Sequence, residues 1–536
     1  MAELGKAERP NWWQGAVGYE IYIRSFADGN GDGVGDLEGL RSRLVHVVDL
    51  GVDLIWITPF YPSPMADHGY DVADYRAVDP RYGKLADVDG LLAQAHDLGL
   101  RVLFDLVPNH TSSEHSWFRS ARRGRDAPYR DFYVWRQPAP DGGPPNNWVS
   151  HFGGPAWTYD EATGQFWLHL FLPEQPDLNW ANPEVGAAFD DVLKFWLDRG
   201  VDGFRIDVAH ALVKDPQLRD NPLRSAPPRD ASASEIWSAY EHRYDLDQPG
   251  VLEIYHRWRE LVAPYGALLL GEVYLLDPRK VARYVGGQEG LHAALCITPT
   301  RIGWGADRIR STLREGVAAG NGYFAWPLSS HDDPRAPTRF GGGARGSRRS
   351  LAYLTLLAGL PGIPFLYQGD ELGLCDGEVP RERAVDPVEV RNVAGRGRDG
   401  SRTPMPWEPG PGCGFTNGEP WLPFGGRRAE DSVAVQDREA GSYLNRTRSL
   451  LTVRRSSRDL SGDLPVEWLT SSGPLVAYRR GDALVVANCG PGSARLKLPQ
   501  GDWKAVFVSQ DAAEIRDQWL ELAEDTAAVL CPRVLA

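Results

Sequence analysis

The chain has 536 residues, 42% of them hydrophobic and 24% charged, with a formal net charge of −14; this is an ordinary globular composition at a length that calls for two or three domains. The acidic balance argues against nucleic acid or an anionic membrane as a partner, because nothing would offset phosphate repulsion. With no apolar leader and no run long enough for a membrane span, the expected location is cytoplasmic, and five widely spaced cysteines without a CxxC suggest neither a disulfide framework nor a zinc site.

In chain order, the first apolar run is "VGYEIYI", residues 17–23. It leads into "DGNGDGVGD", Asp28 to Asp36, which has the oxygen-rich alternation of an EF-hand loop. An EF-hand needs a bidentate Glu at the twelfth loop position and a helix on each side. Here the twelfth position is Gly39 and a strand precedes the loop, so what remains is a short turn. Asp28, Asn30, Asp32 and Asp36, with the Val34 carbonyl, suit a hard divalent cation; a metal-free Asx and glycine turn is the alternative.

Seven further short apolar runs follow: "DLIWITPF", "RVLFDLV", "DGFRIDV", "ALLLGEV", "LHAALCI", "YFAWPLSS" and "GIPFLYQG". Helical stretches such as "LRSRLVHVVDLG", "LLAQAHDLG" and "AFDDVLKFWLDRG" lie between them, each ending near a glycine that can cap it. Eight strands alternating with helices predict a (β/α)8 TIM barrel, an α/β fold. Residues 109–175, rich in Gly, Pro and aromatics, are too long for a loop and too short for an independent core, so a small inserted domain is expected after the third strand. From about 456 the period-two runs "GPLVAYRRGDALVVANCG" and "ARLKLPQGDWKAVFV" predict an antiparallel β-sandwich. The expected division is a barrel over 1–108 and 176–455, an insert over 109–175 and a C-terminal domain over 456–536.

A barrel of this kind carries its chemistry at the C-terminal ends of its strands. Those ends hold Asp105, Arg205 with Asp207, Glu272, and His331 with Asp332. Strand-end acids also cap helices or pair with basic neighbours, and for any one of them that structural role is as good a reading. Arg205 and Asp207 are two apart on a strand and so share a face, where the guanidinium is expected to keep the carboxylate ionised, as a nucleophile requires. Glu272 ends a very apolar strand, where desolvation favours the neutral form that a general acid must take. Such a pair meets the requirements of retaining glycoside hydrolysis.

The segments "DLVPNH", "QPDLNW", "GFRIDVAH", "GEVY" and "SSHDD" together resemble the ordered sequence regions of the α-amylase family of glycoside hydrolases, and "QPDLN" is the form of its oligo-1,6-glucosidase and α-glucosidase branch. The resemblance runs from about Trp13 to the C-terminus. It implies Asp207 as nucleophile, Glu272 as acid/base and Asp332 as the third carboxylate, with Asp105, His110, Arg205 and His331 as ligands of the first sugar. It also implies that Asp67 and Tyr70 in "MADHGYDVADY" hold the non-reducing glucose, and that Arg398 in "GRDGSRTPMPW" closes the pocket opposite Asp67, as in exo action on small α-glucosides. In that branch a loop similar to Asp28–Asp36 binds a structural Ca2+ or Mg2+ ion.

One departure is Ser330, where the family usually has Asn, with a possible loss of a loop-orienting hydrogen bond. Val208 resembles the residue associated with α-1,6 preference, whereas "IDVAH" as a whole is similar to α-glucosidases of broader preference. A transglucosylase or sugar isomerase on the same scaffold is the alternative function; "APTRFGGG" at 336–343 lacks the isomerase motif, which lowers that reading without excluding transfer. A non-catalytic accessory relative is a remote third, since all three acids are present.

Overall fold

The computed structural model describes residues 11–287, 289–391 and 397–533, so the outermost residues of the first and last expected domains lie outside the description. Eight parallel strands close a barrel: β1 (Gly18–Ile21), β2 (Leu54–Ile57), β3 (Arg101–Leu106), β4 (Gly203–Ile206), β5 (Leu268–Gly271), β6 (Ala293–Leu295), β7 (Phe324–Pro327) and β8 (Ile363–Tyr367). Each pairs with its neighbour in sequence, and β8 returns to β1 with Phe365 opposite Gly18. All eight apolar runs of the sequence are barrel strands.

Strand side chains alternate between the barrel interior and the helices outside it. Leu54, Trp56, Leu103, Leu268, Leu270, Ala293, Ala325, Ile363 and Phe365 fill the interior. Ile55, Ile57, Val102, Phe104, Phe204, Ile206, Leu269 and Phe324 face outward into the larger core shared with the helices. Continuing the inward series one step beyond the apolar layer gives Asp105, Arg205, Asp207 and Glu272. The polar groups are therefore delivered to the mouth of the barrel by the same period of two that builds its core.

Between strands run helices including α1 (Leu37–Leu50), α2 (Leu85–Asp97) and α3 (Pro183–Leu197). α1 buries Leu37, Leu40, Leu44 and Val47 at helical spacing and ends on Gly51, whose φ of 94° is the left-handed cap a glycine accepts most readily. The interval between β3 and β4 carries a three-stranded antiparallel sheet of Trp135–Arg136, Gln165–Leu168 and Trp157–Asp160. It is tied back to the barrel by bridges pairing His110 with Asp177 and Tyr133 with Leu178.

The C-terminal region has a five-stranded and a three-stranded antiparallel sheet. Leu475, Leu484, Val486 and Leu530 of the first pack with Ala494, Leu520 and Leu522 of the second, which makes a sandwich core. The outer face of the larger sheet lies on helix α4 (Gly343–Gly359), where the Tyr478 hydroxyl donates to the Leu356 carbonyl. Two buried arginines finish the joint. Arg454 donates to the carbonyls of Ala358, Leu360 and Gly362, and Arg480 to those of Gly359 and Leu460. The Ala358, Gly359 and Leu360 carbonyls sit at the C-terminal end of α4, where the helix has no amide donors left and where positive charge is favoured. Among the described residues no helix is long and apolar enough to cross a membrane.

Arg454→Met leaves three buried carbonyls without a donor, an expected loss of about 3 kcal/mol. Thermal denaturation is expected to show a clearly lowered midpoint; an unchanged midpoint would remove Arg454 from the domain joint.

Candidate active site

Arg205 lies at the bottom of the barrel mouth and is 1% exposed. One terminal nitrogen lies 3.0 and 3.2 Å from the two oxygens of Asp105 and 2.5 Å from Asp207 Oδ1; the other lies 3.0 Å from Glu272 Oε2. Its plane also lies over the Trp56 ring, 4.5 Å from the centroid. Asp105 is further held by the Trp56 indole N–H at 3.0 Å and the Tyr70 hydroxyl at 2.9 Å. Glu272 Oε2 also accepts the Val208 amide at 3.1 Å. Val208 has φ of 45°, a left-handed conformation that is costly for a β-branched residue and that turns its N–H onto Glu272.

Three carboxyl groups thus share one guanidinium. Burial pushes Asp105 up to about 6, against the pull of Arg205. Burial also pushes Asp207 well above the usual carboxylate range; Glu272 and Asp105 add to this, and Arg205 opposes it. The expected pairing of Arg205 with Asp207 is present, but burial and the two neighbouring acids work against the ionisation it was expected to secure. The pair was legible from one strand, but the count of acids around it was not.

On the opposite wall, His331 is sandwiched between Tyr22 and Tyr70, with ring centroids 5.5 and 5.4 Å away. Its Nδ1 bonds Glu20, and its Nε2 lies 3.2 Å from Asp332 Oδ2 without aligning as a hydrogen bond. Burial pushes His331 down to about 3 and Glu20 well up, so the imidazole is neutral and the proton belongs to Glu20. Asp332 Oδ1 accepts from Arg402 at 2.8 Å and Arg398 at 3.1 Å. Burial works against its ionisation, but the Arg398 and Arg402 guanidiniums outweigh it and hold the carboxyl well below the usual range. Ser330 Oγ accepts the Asp332 amide at 3.3 Å, so the shorter side chain still makes a bond that shapes the loop.

Arg398 closes the far side. It donates to Asp67 at 2.7 Å and to Asp386 through Nε at 2.8 Å and a terminal nitrogen at 3.0 Å. Gln175 donates to Asp67 at 3.3 Å and lies 3.1 Å from His110 Nε2. The insert adds Phe152, Phe171 and His151, with His151 stacked between Phe171 and Trp237. Together these enclose a cavity of about 400 Å3, within the size range of small-ligand sites.

All ten sugar-site residues of the sequence reading are brought together around this cavity. Asp386, Gln175 and Glu20 were missed. Glu20 had a signal, as the charged residue in phase with inward Gly18 on β1; Gln175 was inside a quoted motif; Asp386 lies in a Pro-rich stretch with no periodicity.

The loop Asp28–Asp36 stands apart from this site. Asp28, Asn30 and Asp32 accept the amides of Asn30, Asp32 and Val34 at 3.1, 2.9 and 2.9 Å. Asp36 also caps α1, its oxygens accepting the amides of Gly29, Asn30 and Gly39. The Thr416 hydroxyl donates to Asp28 and ties the loop to the segment after the barrel. Among the described residues no three His, Cys, Asp or Glu side chains group as metal ligands.

Asp386→Asn removes the charge that aims Arg398, whose pull holds Asp386 well below the usual range despite burial. The expected result is a rise in KM of about tenfold or more with a smaller change in kcat, as for lost ground-state binding; an unchanged KM would show that Arg398 is aimed without it.

The family described as "Alpha amylase, catalytic domain" matches residues 20–463. A probable alpha-glucosidase of Rhizobium meliloti (strain 1021) is 41% identical over 484 residues, 88% of this chain and 87% of that protein. An oligo-1,6-glucosidase of Heyndrickxia coagulans is 36% identical over 92% of this chain and 95% of its own. Among solved structures, the alpha-glucosyl transfer enzyme XgtA superposes with a TM-score of 0.91 at 40% identity, covering 98% of this chain and all of that one. A barrel mouth lined by these carboxyl groups, the ordered motifs and the match over most of the chain agree: the protein belongs to the α-amylase family of glycoside hydrolases.

Proposed function

We propose that the protein is an exo-acting retaining α-glucosidase that removes terminal glucose from short α-glucosides of the maltose or isomaltose type. The observation that carries this reading is the sharing of one guanidinium by Asp207 and Glu272 at the base of a cavity whose far side is shut by the Asp67–Arg398 pair. A single guanidinium keeps two carboxyls close, and retention uses a separation of about 5–5.5 Å.

In this reading Asp207 attacks the anomeric carbon while Glu272 gives its proton to the departing glycosidic oxygen. Water then reverses the step: it adds to the anomeric carbon, the bond to Asp207 breaks with its electron pair returning to the carboxylate, and Glu272 recovers the proton. Asp332, anionic in its cradle of arginines, grips sugar hydroxyls and favours the positively charged transition state. Asp67, Arg398 and His110 leave room for one non-reducing residue.

Transfer of glucose to another hydroxyl is the second reading. It uses the same intermediate and is favoured by the close likeness to XgtA, which is described as an alpha-glucosyl transfer enzyme.

A structural Ca2+ or Mg2+ ion is part of the proposal. Asp28, Asn30, Asp32, the Val34 carbonyl and Asp36, which also caps α1, offer the hard oxygen donors such ions take. The ion would stiffen the loop and supply no step of the reaction.

With maltose and isomaltose as substrates, the first glucose formed is expected to be the α-anomer, and Asp207→Asn is expected to lose at least about 10^4-fold in kcat. A β-anomer first, or an active variant, would rule the reading out. Stripping divalent ions with EDTA is expected to lower the thermal midpoint, and added Ca2+ to restore it; a midpoint indifferent to both would show that the loop holds no ion.

A further inference from the structure

Behind the catalytic groups lies a second cavity of about 30 Å3, room for one or two water molecules. It shares Glu272, Tyr274 and Asp332 with the main cavity, so the two adjoin at the acid/base group. Its wall mixes apolar side chains such as Leu295, Ile297 and Phe365 with the polar groups of Arg205, Thr300 and Ser330. Two observations suit it to water. The Nε of Arg205, on a residue only 1% exposed, has no protein acceptor. Ser330 uses its oxygen to accept the Asp332 amide, which leaves the O–H proton for a second partner. A buried donor without a partner is costly, and a small polar cavity beside it is where water is retained.

We propose that this cavity supplies the water that hydrolyses the glucosyl-enzyme, and that the small side chain of Ser330 keeps it open and so sets the partition between hydrolysis and glucosyl transfer. The inference rests on the glucosidase reading and deepens it. An acceptor sugar occupies the main cavity on the outer side of Glu272, whereas water in the inner cavity reaches the same carboxylate without displacing it. Water adds to the anomeric carbon, the carbon–oxygen bond to Asp207 breaks with its electrons returning to Asp207, and the water proton passes to Glu272. In transfer the acceptor hydroxyl does the same from the outer side. A larger side chain at 330 takes the space of the inner water and leaves the outer route untouched.

The test uses 4-nitrophenyl α-D-glucoside as donor and D-xylose, which has no glucosidic bond to cleave, as acceptor. Nitrophenol counts every glucosyl-enzyme formed, free glucose formed from the donor counts hydrolysis, and the shortfall counts transfer. This ratio is independent of how fast the intermediate is made. Ser330→Asn is expected to raise transfer over hydrolysis about tenfold, equivalent to about 1.4 kcal/mol between the two barriers. Ser330→Thr, which adds one methyl group and keeps the hydroxyl, is expected to raise it less and guards against a misfolded Asn variant. Ser330→Gly, which widens the cavity, is expected not to raise it. Unchanged ratios in both larger variants, or an equal rise in the glycine variant, would overturn the proposal. A wild type that releases no nitrophenol would overturn the glucosidase reading and this inference together, whereas normal release with a flat ratio would overturn the inference alone.

Discussion

The Arg205 guanidinium is sealed beneath the pocket and divided among Asp105, Asp207 and Glu272, with the Trp56 ring beneath it. A buried charge is tolerable only when it is paired and hydrogen-bonded, and here the pairing runs in both directions. The acids need the cation, and the cation cannot remain without the acids. A lysine in its place would present one point charge where three carboxyls approach a planar fork from separate directions. The spacing of the chemical groups and the shape of the pocket floor follow from this single side chain. It stands there because β4 puts every second residue inside the barrel.

A second cation, Arg398, does for the rim what Arg205 does for the floor. It joins Asp67 from the loop after β2, Asp332 from the end of β7 and Asp386 from the segment beyond β8. Three loops distant in sequence are thereby fixed to one another. The rim is a closed wall rather than an open cleft, and this favours the end of a sugar chain over its middle. The two cations leave Asp332 a firm anion, while Asp105 and Asp207 are pushed towards the neutral range. One cavity thus contains carboxyl groups in opposite electrostatic conditions, with the firm anion on the wall that grips the sugar.

The strands were legible because a parallel barrel buries them on both faces, leaving short unbroken apolar runs, and the residue that ended each inward series was then the candidate for chemistry. Glu20 obeyed the same rule on β1 and was passed over because it lay inside its run rather than at the end. Asp386 was not legible. Its meaning lies in meeting Arg398 across a turn, and nothing in a Pro- and Arg-rich stretch signals such a meeting. The charge balance at Asp207 was misread for a related reason: one strand shows its own arginine, whereas the opposing acids arrive from β3 and β5. Asp36 stands directly before α1 and caps it, a role that its place in the oxygen-rich loop did not by itself reveal.

The central claim is that Asp207, held by Arg205, becomes covalently joined to the sugar. The most direct test is to incubate the enzyme with 5-fluoro-α-D-glucosyl fluoride, which forms the intermediate but releases it slowly, and to locate the added mass in a proteolytic digest. The account predicts a label on Asp207. A label on Glu272 or Asp332, or full turnover inhibition with no covalent mass, would contradict it.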